Sequence, residues 1–321
     1  MPQLPTRIRS TIGTFKLAHD RLREARRICP QPGKTILCMP GGGLNDLLCT
    51  TLRFYRYSLR ASRQLYIGSK YSSIGPLDDV FSGWPESIEF INKNYHELFD
   101  GVASFYPLEA QHYIESEDSD LGTYLDKGPK RYITFDVYRL YPCDMLVHVG
   151  RGGGFGFDLL RRLQLKEPYR SSVVKKIASL PKCYDSVQVR FSDIQANWKV
   201  LLDSIAQKNT HRPLLVCSDS DRVIRSFVAR LSSLRPVFSL RPLSLDGNPA
   251  PIHYSNLGSQ EDRTVSTFCD LFAMAFSKNL YVARAGNGIS GFPRLAKALH
   301  ANKSSAMRVL GLESGNAPFQ V

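Results

Sequence analysis

Three stretches of the chain place charged or small residues directly after short apolar runs, where their side chains could bind a ligand. Arg190 follows residues 186–189, and Asp219 follows residues 214–218. The third stretch, residues 286–292 (GNGISGF), lies between an apolar run and a helical pattern. A strand that ends in small residues and enters a helix presents free backbone N–H groups, which suit a phosphate. These features together suggest a nucleotide-type ligand.

A fourth stretch, residues 40–48 (PGGGLNDLL), follows the first apolar run. Its glycines allow close approach of the backbone, and Asn45 or Asp46 can serve the start of the next helix. In a functional interpretation this stretch lines a ligand cleft through Gly42, Gly43 and Asn45. Asp46 is then a candidate general base. The alternative is a tight strand-to-helix turn without a ligand, since the stretch matches neither the GxGxxG fingerprint nor a P-loop.

Arg190 itself has two interpretations. A guanidinium at the end of a buried strand can hold a diphosphate by charge-assisted hydrogen bonds. It can equally form an ion pair with Asp193 that only fixes the loop. The sequence pattern leaves both interpretations open.

The acidic residues after residues 214–218 also have more than one interpretation. Asp219 or Ser220 can accept a hydrogen bond from a nucleotide base or ribose, or can cap the helix that follows. Alternatively, Asp219 and Asp221 can hold Mg²⁺ or Mn²⁺ against a diphosphate. No histidine pair has the spacing of metal ligands, and the cysteines form no zinc pattern, so we expect no structural metal.

Short apolar runs alternate with helical patterns along the chain. The clearest helix covers residues 259–276, where apolar residues recur at three- and four-residue spacing. Ser259 is its predicted N-cap, with Glu261 and Asp262 in the first turn. Further helices are predicted at residues 44–59, 197–207, 221–234 and 293–300. Strands are predicted at residues 35–39, 64–67, 87–91, 132–135, 145–149, 186–190, 214–218, 237–240 and 280–283.

This alternation predicts an α/β fold with parallel sheets that are covered on both faces. A break near residues 150–182 divides it into two Rossmann-like domains facing a cleft, one over residues 1–165 and one over residues 166–321. Residues 150–156 (GRGGGFG) are interpreted as a hinge between the two halves.

The composition is that of a globular protein. The chain has 321 residues, of which 43% are hydrophobic, and this length suits two domains. We expect no transmembrane helix and no secretory signal, because no apolar run has the required length or position. The seven cysteines are scattered without a CxxC pair, which favours reduced thiols in a cytoplasmic protein.

The net charge of +13 indicates an anionic partner or a solvated basic surface. Residues 1–35 contain eight basic residues against two acidic ones, interleaved with apolar residues. A basic amphipathic helix of this kind can lie on an anionic membrane surface. The favoured interpretation is an outer helix that packs its apolar side on the protein. Nucleic acid is not expected as a partner, because the pattern contains no RNA-binding motif.

Four short motifs occur in order along the chain. Residues 42–45 (GGLN) form a Gly-Asn loop, and residues 187–193 (VQVRFSD) end a strand in Arg and Asp. Residues 216–220 (VCSDS) end the next strand in Ser-Asp, and residues 268–271 (FCDL) place an Asp on a helix before the loop at residues 290–292. This set resembles the Gly-Asn loop, the His-x-Arg-Arg-x-Asp motif, the Ser/Thr-Asp-Asp strand end and the Asp with Ser-x-Phe motif of the fucosyltransferase superfamily. That superfamily, of GT-B fold, includes α1,2-, α1,6- and protein O-fucosyltransferases and bacterial relatives.

The resemblance implies an inverting, metal-independent glycosyltransferase without a further cofactor. Its donor would be a nucleotide sugar, which is GDP-fucose in the characterised members. Arg190 would hold the β-phosphate and stabilise charge on the leaving group. Asp219 or Ser220 would contact the base or the ribose.

The resemblance also assigns the small-residue turn and the two domains. The turn would cradle the diphosphate, and Asp270 would support it from its helix. The donor would lie on residues 166–321 and the acceptor on residues 1–165. We expect a glycan or lipid-linked glycan acceptor, in the synthesis of a cell-surface polysaccharide or glycolipid. The residues of the turn are Gly288, Ser290, Gly291 and Phe292.

Three positions depart from the family pattern. Gln188 stands in place of the His, and Phe191 in place of the second Arg, so one cation near the diphosphate is lost. Gly42 stands where some protein O-fucosyltransferases have a catalytic Glu, which leaves Asp46 as the candidate base.

Two other classes of function stay open. One is a metal-dependent GT-A-like transferase with Asp219 and Asp221 as ligands, which EDTA would inhibit. The other is a non-catalytic module that binds a nucleotide sugar.

Overall fold

The computed structural model describes residues 33–69, 72–91, 98–99, 101–110, 133–191, 196–241, 259–284, 286 and 288–312. By packing, the chain divides into two compact units. The first consists of Met1–Met39, Arg53–Gly68 and Glu86–Gly150. The second consists of Pro40–Leu52, Ser69–Pro85 and Arg151–Val321. The predicted domain boundary between residues 165 and 166 stays a prediction.

The described strands are short, and most coincide with the apolar runs of the sequence. They are β1 (Thr35–Gly41), β2 (Gln64–Ile67), β3 (Phe81–Ser82), β4 (Ile88–Phe90), β5 (Phe105–Tyr106), β6 (Met145–Arg151), β7 (Gln164–Leu165), β8 (Asp185–Val189), β9 (Leu214–Ser218), β10 (Val237–Phe238) and β11 (Leu280–Val282).

The described helices include all of those predicted, with small differences at their ends. They are α1 (Leu44–Ala61), α2 (Leu77–Val80), α3 (Phe157–Leu160), α4 (Tyr169–Ala178), α5 (Trp198–Ala206), α6 (Asp221–Leu231), α7 (Gln260–Phe276), α8 (Gly291–Ala301) and α9 (Lys303–Val309). No helix in this described part is long and apolar enough to cross a bilayer.

The first unit is built on a sheet with strand order β4-β2-β1-β6-β5. The β1–β2, β2–β4 and β5–β6 pairs are parallel. Consecutive residues of the two long strands, β1 and β6, are buried, as expected for strands covered on both faces, which explains their continuous apolar character. Alternate residues of these strands point into one core. That core contains Leu37, Met39, Ala110, Ile133, Met145, Val147 and Val149.

The second unit is built on a sheet with strand order β10-β9-β8-β11, in which all three pairs are parallel. All five residues of β8 and all five of β9 are buried, as expected for a sheet covered on both faces. Trp198 of α5 and Phe227 of α6 pack against these strands in the core. The predicted α/β class with parallel sheets is confirmed.

The amino end of this sheet is held by a buried carboxylate. Asp185, which is 0% exposed, accepts hydrogen bonds from Arg235 Nη2 at 2.7 Å, Arg212 Nε at 3.0 Å and Asn279 Nδ2 at 2.8 Å. Burial raises the pKa of Asp185, but the three hydrogen bonds outweigh it and hold the pKa below its ordinary value. This network ties the starts of β8, β9 and β11 together and so fixes the level of their carboxyl ends.

The start of α7 follows its sequence signal. Ser259 Oγ accepts a hydrogen bond from the N–H of Asp262 at 3.1 Å, and Asp262 Oδ2 accepts one from the N–H of Ser259 at 3.0 Å. This reciprocal pair is a capping box, which satisfies two backbone donors at the helix start. The predicted cap is therefore confirmed.

The strand predicted at residues 132–135 is wrong. Of this segment, Ile133 forms only an isolated antiparallel bridge with Val149, and Tyr132 lies outside the described residues. The apolar character has another cause, because the ring of Phe135 packs 5.1 Å from the rings of both Phe54 and Tyr57.

Candidate functional site

The carboxyl ends of β8 and β9 lie side by side in the second unit. Gln188 pairs in register with Cys217, so Arg190 and Asp219, two residues further on, follow the strands at the same level. Side chains two residues apart in a strand point to the same face of the sheet. The strand ends therefore present an amide, a thiol, a guanidinium and a carboxylate on one face.

A cavity of the second unit opens on this face. It is partly open to solvent. The carboxyl edge of a parallel sheet is the position where open α/β folds bind their ligands. Among the residues that line the cavity, five belong to the predicted site: Gly43, Arg190, Asp219, Asp270 and Phe292.

Helix α7 forms one wall of the cavity. Arg263, Thr267 and Asp270 line it, and their spacing of four and three residues places them on one helix face. The same helix holds residues 72–74 against the site, because Gln260 Nε2 donates to the carbonyl of Ser72 at 3.2 Å. Thr264 Oγ1 likewise donates to the carbonyl of Ile74 at 3.0 Å.

Arg263 is a site residue that sequence reasoning missed. It brings a second guanidinium to the cavity that Arg190 lines. The departure at Phe191 removes one expected cation from the strand end, and α7 supplies a cation from another direction. A signal was present in the sequence, because Arg263 and Asp270 are seven residues apart and so share a helix face.

The carboxylate of Asp219 is engaged with the neighbouring strand end. Its Oδ1 atom accepts a hydrogen bond from the backbone N–H of Phe191 at 2.8 Å. Asp219 is thereby joined to the residue that directly follows Arg190. Its first observable role is to fix the backbone that carries the guanidinium.

The residues after Asp219 start helix α6. Ser220 is its N-cap residue with extended backbone, and its side chain makes no capping hydrogen bond. Its N–H instead donates to Ser218 Oγ at 3.2 Å. Asp221 lies in the first turn, where the helix dipole favours a negative charge. Asp221 therefore has a structural role at the start of the helix. A contact of Ser220 with a ligand stays a prediction.

Asp270 is a buried acid on the cavity wall. The residue is 9% exposed, and the thiol of Cys217 donates a hydrogen bond to its carboxylate. Burial raises the pKa of Asp270 to about 7, against the lowering influence of the Cys217 hydrogen bond and of Arg241. Burial also raises the pKa of the Cys217 thiol well above its ordinary value, so the thiol stays a donor.

The glycine-rich loop after β1 approaches the site through Gly43, which lines the cavity. Gly42 has a φ of +91°, which other residues rarely adopt, and its carbonyl accepts a hydrogen bond from Ser73 Oγ at 3.0 Å. The carboxylate of Asp46 lies beside this loop. A Cβ atom added to Gly42 would come within 2.8 Å of Asp46 Oδ2, and one added to Gly152 within 3.5 Å of Oδ1.

Asn45 joins three segments of the second unit. Its Nδ2 donates to the carbonyl of Gly154 at 3.2 Å, and its Oδ1 accepts from the N–H of Gly156 at 3.1 Å. A Cβ atom at Gly291 would lie 2.6 Å from Asn45 Nδ2. Asn45 therefore positions the start of α8 and does not itself line the described cavity wall. The contacts give Gly154 and Gly156 a packing role that the interpretation as a hinge did not include.

The small-residue turn ends at the first turn of α8. Ser290 is the N-cap residue, its side chain makes no capping hydrogen bond, and Phe292 lines the cavity. An 11-residue helix that begins beside a cavity brings its unpaired N–H groups and the positive end of its dipole to that place. Gly288 is exposed, and its contact with a ligand stays a prediction.

Two expectations from the sequence, the ion pair of Asp193 with Arg190 and the absence of a structural metal, stay predictions. Asp193 lies outside the described residues, so its pairing with Arg190 is not observed. Within the described ranges, no group of three or more His, Cys, Asp or Glu residues could hold a metal ion.

Comparison with known proteins identifies the fold. No protein-family model and no curated protein sequence matches the chain. The crystal structure of fucosyltransferase NodZ from Bradyrhizobium aligns with a TM-score of 0.53 and 15% identity, over 83% of this chain and 94% of that one. NodZ alpha-1,6-fucosyltransferase soaked with GDP-fucose gives a TM-score of 0.52 at 15% identity, over 83% and 93%. POFUT1 in complex with GDP gives a TM-score of 0.50 at 13% identity, over 85% and 97%.

These likenesses extend over most of both chains at low sequence identity. They agree with the parallel sheets, and with the order of motifs that resembles the superfamily. The chain therefore has an α/β fold similar to that of these fucosyltransferase structures.

Proposed function

We propose that this protein is an inverting, metal-independent glycosyltransferase that transfers fucose from GDP-fucose to a glycan acceptor. The observation that carries the proposal is the cavity at the carboxyl ends of β8 and β9, with Arg190 and Arg263 on its wall. A fold shared with proteins that were crystallised with GDP-fucose or GDP supports this class of donor.

In this proposal the two guanidiniums bind the diphosphate of the donor. Arginine suits phosphate oxygens because its planar donors form paired, charge-assisted hydrogen bonds. The N–H groups at the start of α8, from Ser290 to Phe292, add neutral donors on the same anion. As the bond from the sugar to the diphosphate breaks, negative charge grows on the leaving oxygen, and Arg190 stabilises it.

Asp219 and Asp270 act on the site through their neighbours. Asp219 holds the N–H of Phe191 and so orients Arg190, while Ser220 remains the candidate for a contact with the base or ribose. Asp270 supports the wall between α7 and β9 through Cys217.

For the transfer itself, an acceptor hydroxyl attacks the anomeric carbon from the face opposite the diphosphate, which inverts that carbon. The proton of the hydroxyl needs a base, and Asp46 is the proposed group. Its carboxylate lies between Gly42 and Gly152, next to the loop that reaches the cavity. We place the reaction in the cytoplasm, in the synthesis of a cell-surface polysaccharide or glycolipid. Contact of the basic residues 1–35 with an anionic membrane stays the less favoured alternative to an outer helix.

The GT-A-like alternative does not fit the fold. Whether Asp219 and Asp221 bind a metal is a separate question. The hydrogen bond from Phe191 to Asp219 Oδ1 gives that carboxylate a role without a metal. A non-catalytic binding module is favoured by the replacement of two family residues, at Gln188 and Phe191.

Thermal-shift measurements with GDP, GDP-fucose, UDP and UDP-glucose test the donor, each with and without EDTA. We expect stabilisation by GDP and GDP-fucose, little by the uridine compounds and no effect of EDTA. Release of GDP from GDP-fucose over time then separates an enzyme from a binding module. Stabilisation by uridine compounds alone would overturn the proposed donor, and loss of binding in EDTA would overturn metal independence.

A further inference from the structure

Gln188 is a buried polar residue on the wall of the cavity. It is 7% exposed, and its Oε1 atom has no hydrogen-bond partner among the described residues. It stands between Val187 and Val189 in β8, a strand whose residues are all buried. An apolar residue would fill this position without an unpaired group.

A buried acceptor without a partner lowers the stability of the folded protein, and native proteins hold few of them. Such a group is explained when a ligand supplies the missing partner. The side chain of Gln188 lines the cavity, so a molecule that fills the cavity lies within its reach. Rotation about the χ3 bond, which has broad preferences, exchanges the positions of the amide oxygen and nitrogen.

The surroundings of Gln188 indicate which part of a ligand it meets. It pairs in register with Cys217, whose thiol already donates to the carboxylate of Asp270. The carboxylate of Asp270 and the amide oxygen of Gln188 are both hydrogen-bond acceptors, so this part of the wall is unfavourable for a phosphate. Hydroxyl and N–H groups fit it, because they can donate to Oε1. Phosphate oxygens fit Arg190, two residues further along the chain.

We propose that Gln188 determines donor specificity by accepting a hydrogen bond from a neutral hydroxyl or N–H group of the nucleotide sugar. This inference rests on the proposed function, since it assigns the ligand of the same cavity. It divides the wall into a cationic part at Arg190 and Arg263 for the diphosphate, and a neutral part at Gln188 for the sugar, ribose or base.

The substitution Gln188→Met tests the inference, because methionine has nearly the same shape and no amide. Removal of an unpaired buried acceptor should leave the melting temperature of the ligand-free protein equal or higher. The loss of the hydrogen bond to the ligand should weaken binding of GDP or GDP-fucose about ten-fold. A merely structural glutamine would behave in the opposite way, with a lower melting temperature and unchanged affinity.

Gln207→Met is the matched control, since Gln207 is exposed at the end of α5 and should change neither quantity. Calorimetry with GDP and with GDP-fucose then gives distinct outcomes. A loss for GDP-fucose alone places the contact on the sugar, and an equal loss for both places it on the nucleotide. If the unchanged protein binds both probes and Gln188→Met binds them equally well, the inference fails while the proposed function stands. If the unchanged protein binds neither probe, the proposed function fails and the inference with it.

Discussion

The Oδ1 atom of Asp219 lies 2.8 Å from the backbone nitrogen of Phe191 and accepts its hydrogen bond. The contact joins the loops that follow two neighbouring parallel strands. Because Phe191 directly follows Arg190, the carboxylate limits the directions in which the guanidinium can leave the strand end. Asp219 is thus a positioning residue, and the site depends on it even where it touches no ligand.

Asp219→Ala should therefore weaken both folding and donor binding. The N–H of Phe191 loses its acceptor, which we expect to lower the free energy of unfolding by roughly 1–2 kcal/mol. The affinity for GDP should fall by about ten-fold, because Arg190 is less well ordered. Denaturant unfolding and calorimetry measure the two effects.

Asp219→Asn distinguishes this positioning role from metal binding. Asparagine keeps an oxygen at Oδ1 and should restore most of the stability and affinity lost in Asp219→Ala. A metal ligand requires the negative charge, so equal defects in both variants, together with sensitivity to EDTA, would contradict the positioning role.

Arg190→Ala should abolish transfer and leave the fold intact. Loss of a group that stabilises leaving-group charge costs about 10²–10³-fold in rate in comparable sites. Stability should change by less than about 1 kcal/mol, as expected for a residue outside the hydrophobic core. The rate of GDP release from GDP-fucose and the melting temperature provide the test.

Arg230→Ala is the control for Arg190→Ala, because Arg230 is exposed in the last turn of α6, at the end of the helix that is remote from the strand end. Its rate should equal that of the unchanged protein. An unchanged rate in Arg190→Ala as well would remove this guanidinium from the mechanism.

The strand ends of the site are the part that sequence pattern predicts well. Parallel strands place their carboxyl ends on one edge of a sheet, so the residues after two buried runs must meet. Arg190 and Asp219 accordingly line one cavity. The helix that carries Asp270 was also predictable, because its cap and its apolar period agree.

The remaining parts depend on tertiary contacts that leave a weak pattern or none. The apolar period of α7 dominates its sequence, so the polar face with Arg263 and Thr267 was overlooked. Residues 73–74 reach the cavity through side chains of α7, which nothing local predicts. Glycine runs suit a hinge and close packing equally well, and only the contacts of Gly156 show the second role.

Gly156→Ala should destabilise the protein through this packing. The added Cβ atom would lie 2.5 Å from Leu48 Cβ and 3.1 Å from the backbone nitrogen of Cys49, so the helix or the loop must shift. Overpacking of this kind costs about 1–3 kcal/mol. The matched control is Gly43→Ala, for which nothing lies within 4 Å of the added atom. Equal unfolding free energies for the two variants would contradict the packing role.

Asp270 should make stability depend on pH near neutrality. Burial raises its pKa to about 7 in the folded protein, from 3.8 as the ordinary value. The folded state therefore holds this proton more tightly than the unfolded state does. Its contribution to stability is fully present below about pH 4 and is lost as the pH rises through about 7. The lost amount is at most about 4 kcal/mol.

Asp270→Asn isolates this contribution, because the amide resembles the protonated acid at every pH. Between pH 5 and pH 8 the unchanged protein should lose stability relative to the variant, as measured by denaturant unfolding at both values. The Cys217 thiol and Arg241 are present in both proteins, so their effects cancel in the difference to a first approximation. Parallel pH profiles would show that the carboxyl of Asp270 does not titrate in this window.

Asp46→Asn tests the proposed base without removing the donor site. The amide keeps the shape of the carboxylate between Gly42 and Gly152 but cannot take a proton from a hydroxyl. GDP affinity should stay within about two-fold, while release of GDP from GDP-fucose should fall by roughly 10²–10⁴-fold. The substitution also removes a charge from the first turn of α1, which costs about 0.3–1 kcal/mol of stability. Glu261→Gln, in the first turn of α7, has the same structural cost and should retain full turnover. If both variants turn over GDP-fucose at the rate of the unchanged protein, the base is another group. If Asp46→Asn loses GDP binding as well as turnover, the carboxylate of Asp46 acts on the loop and not on the acceptor.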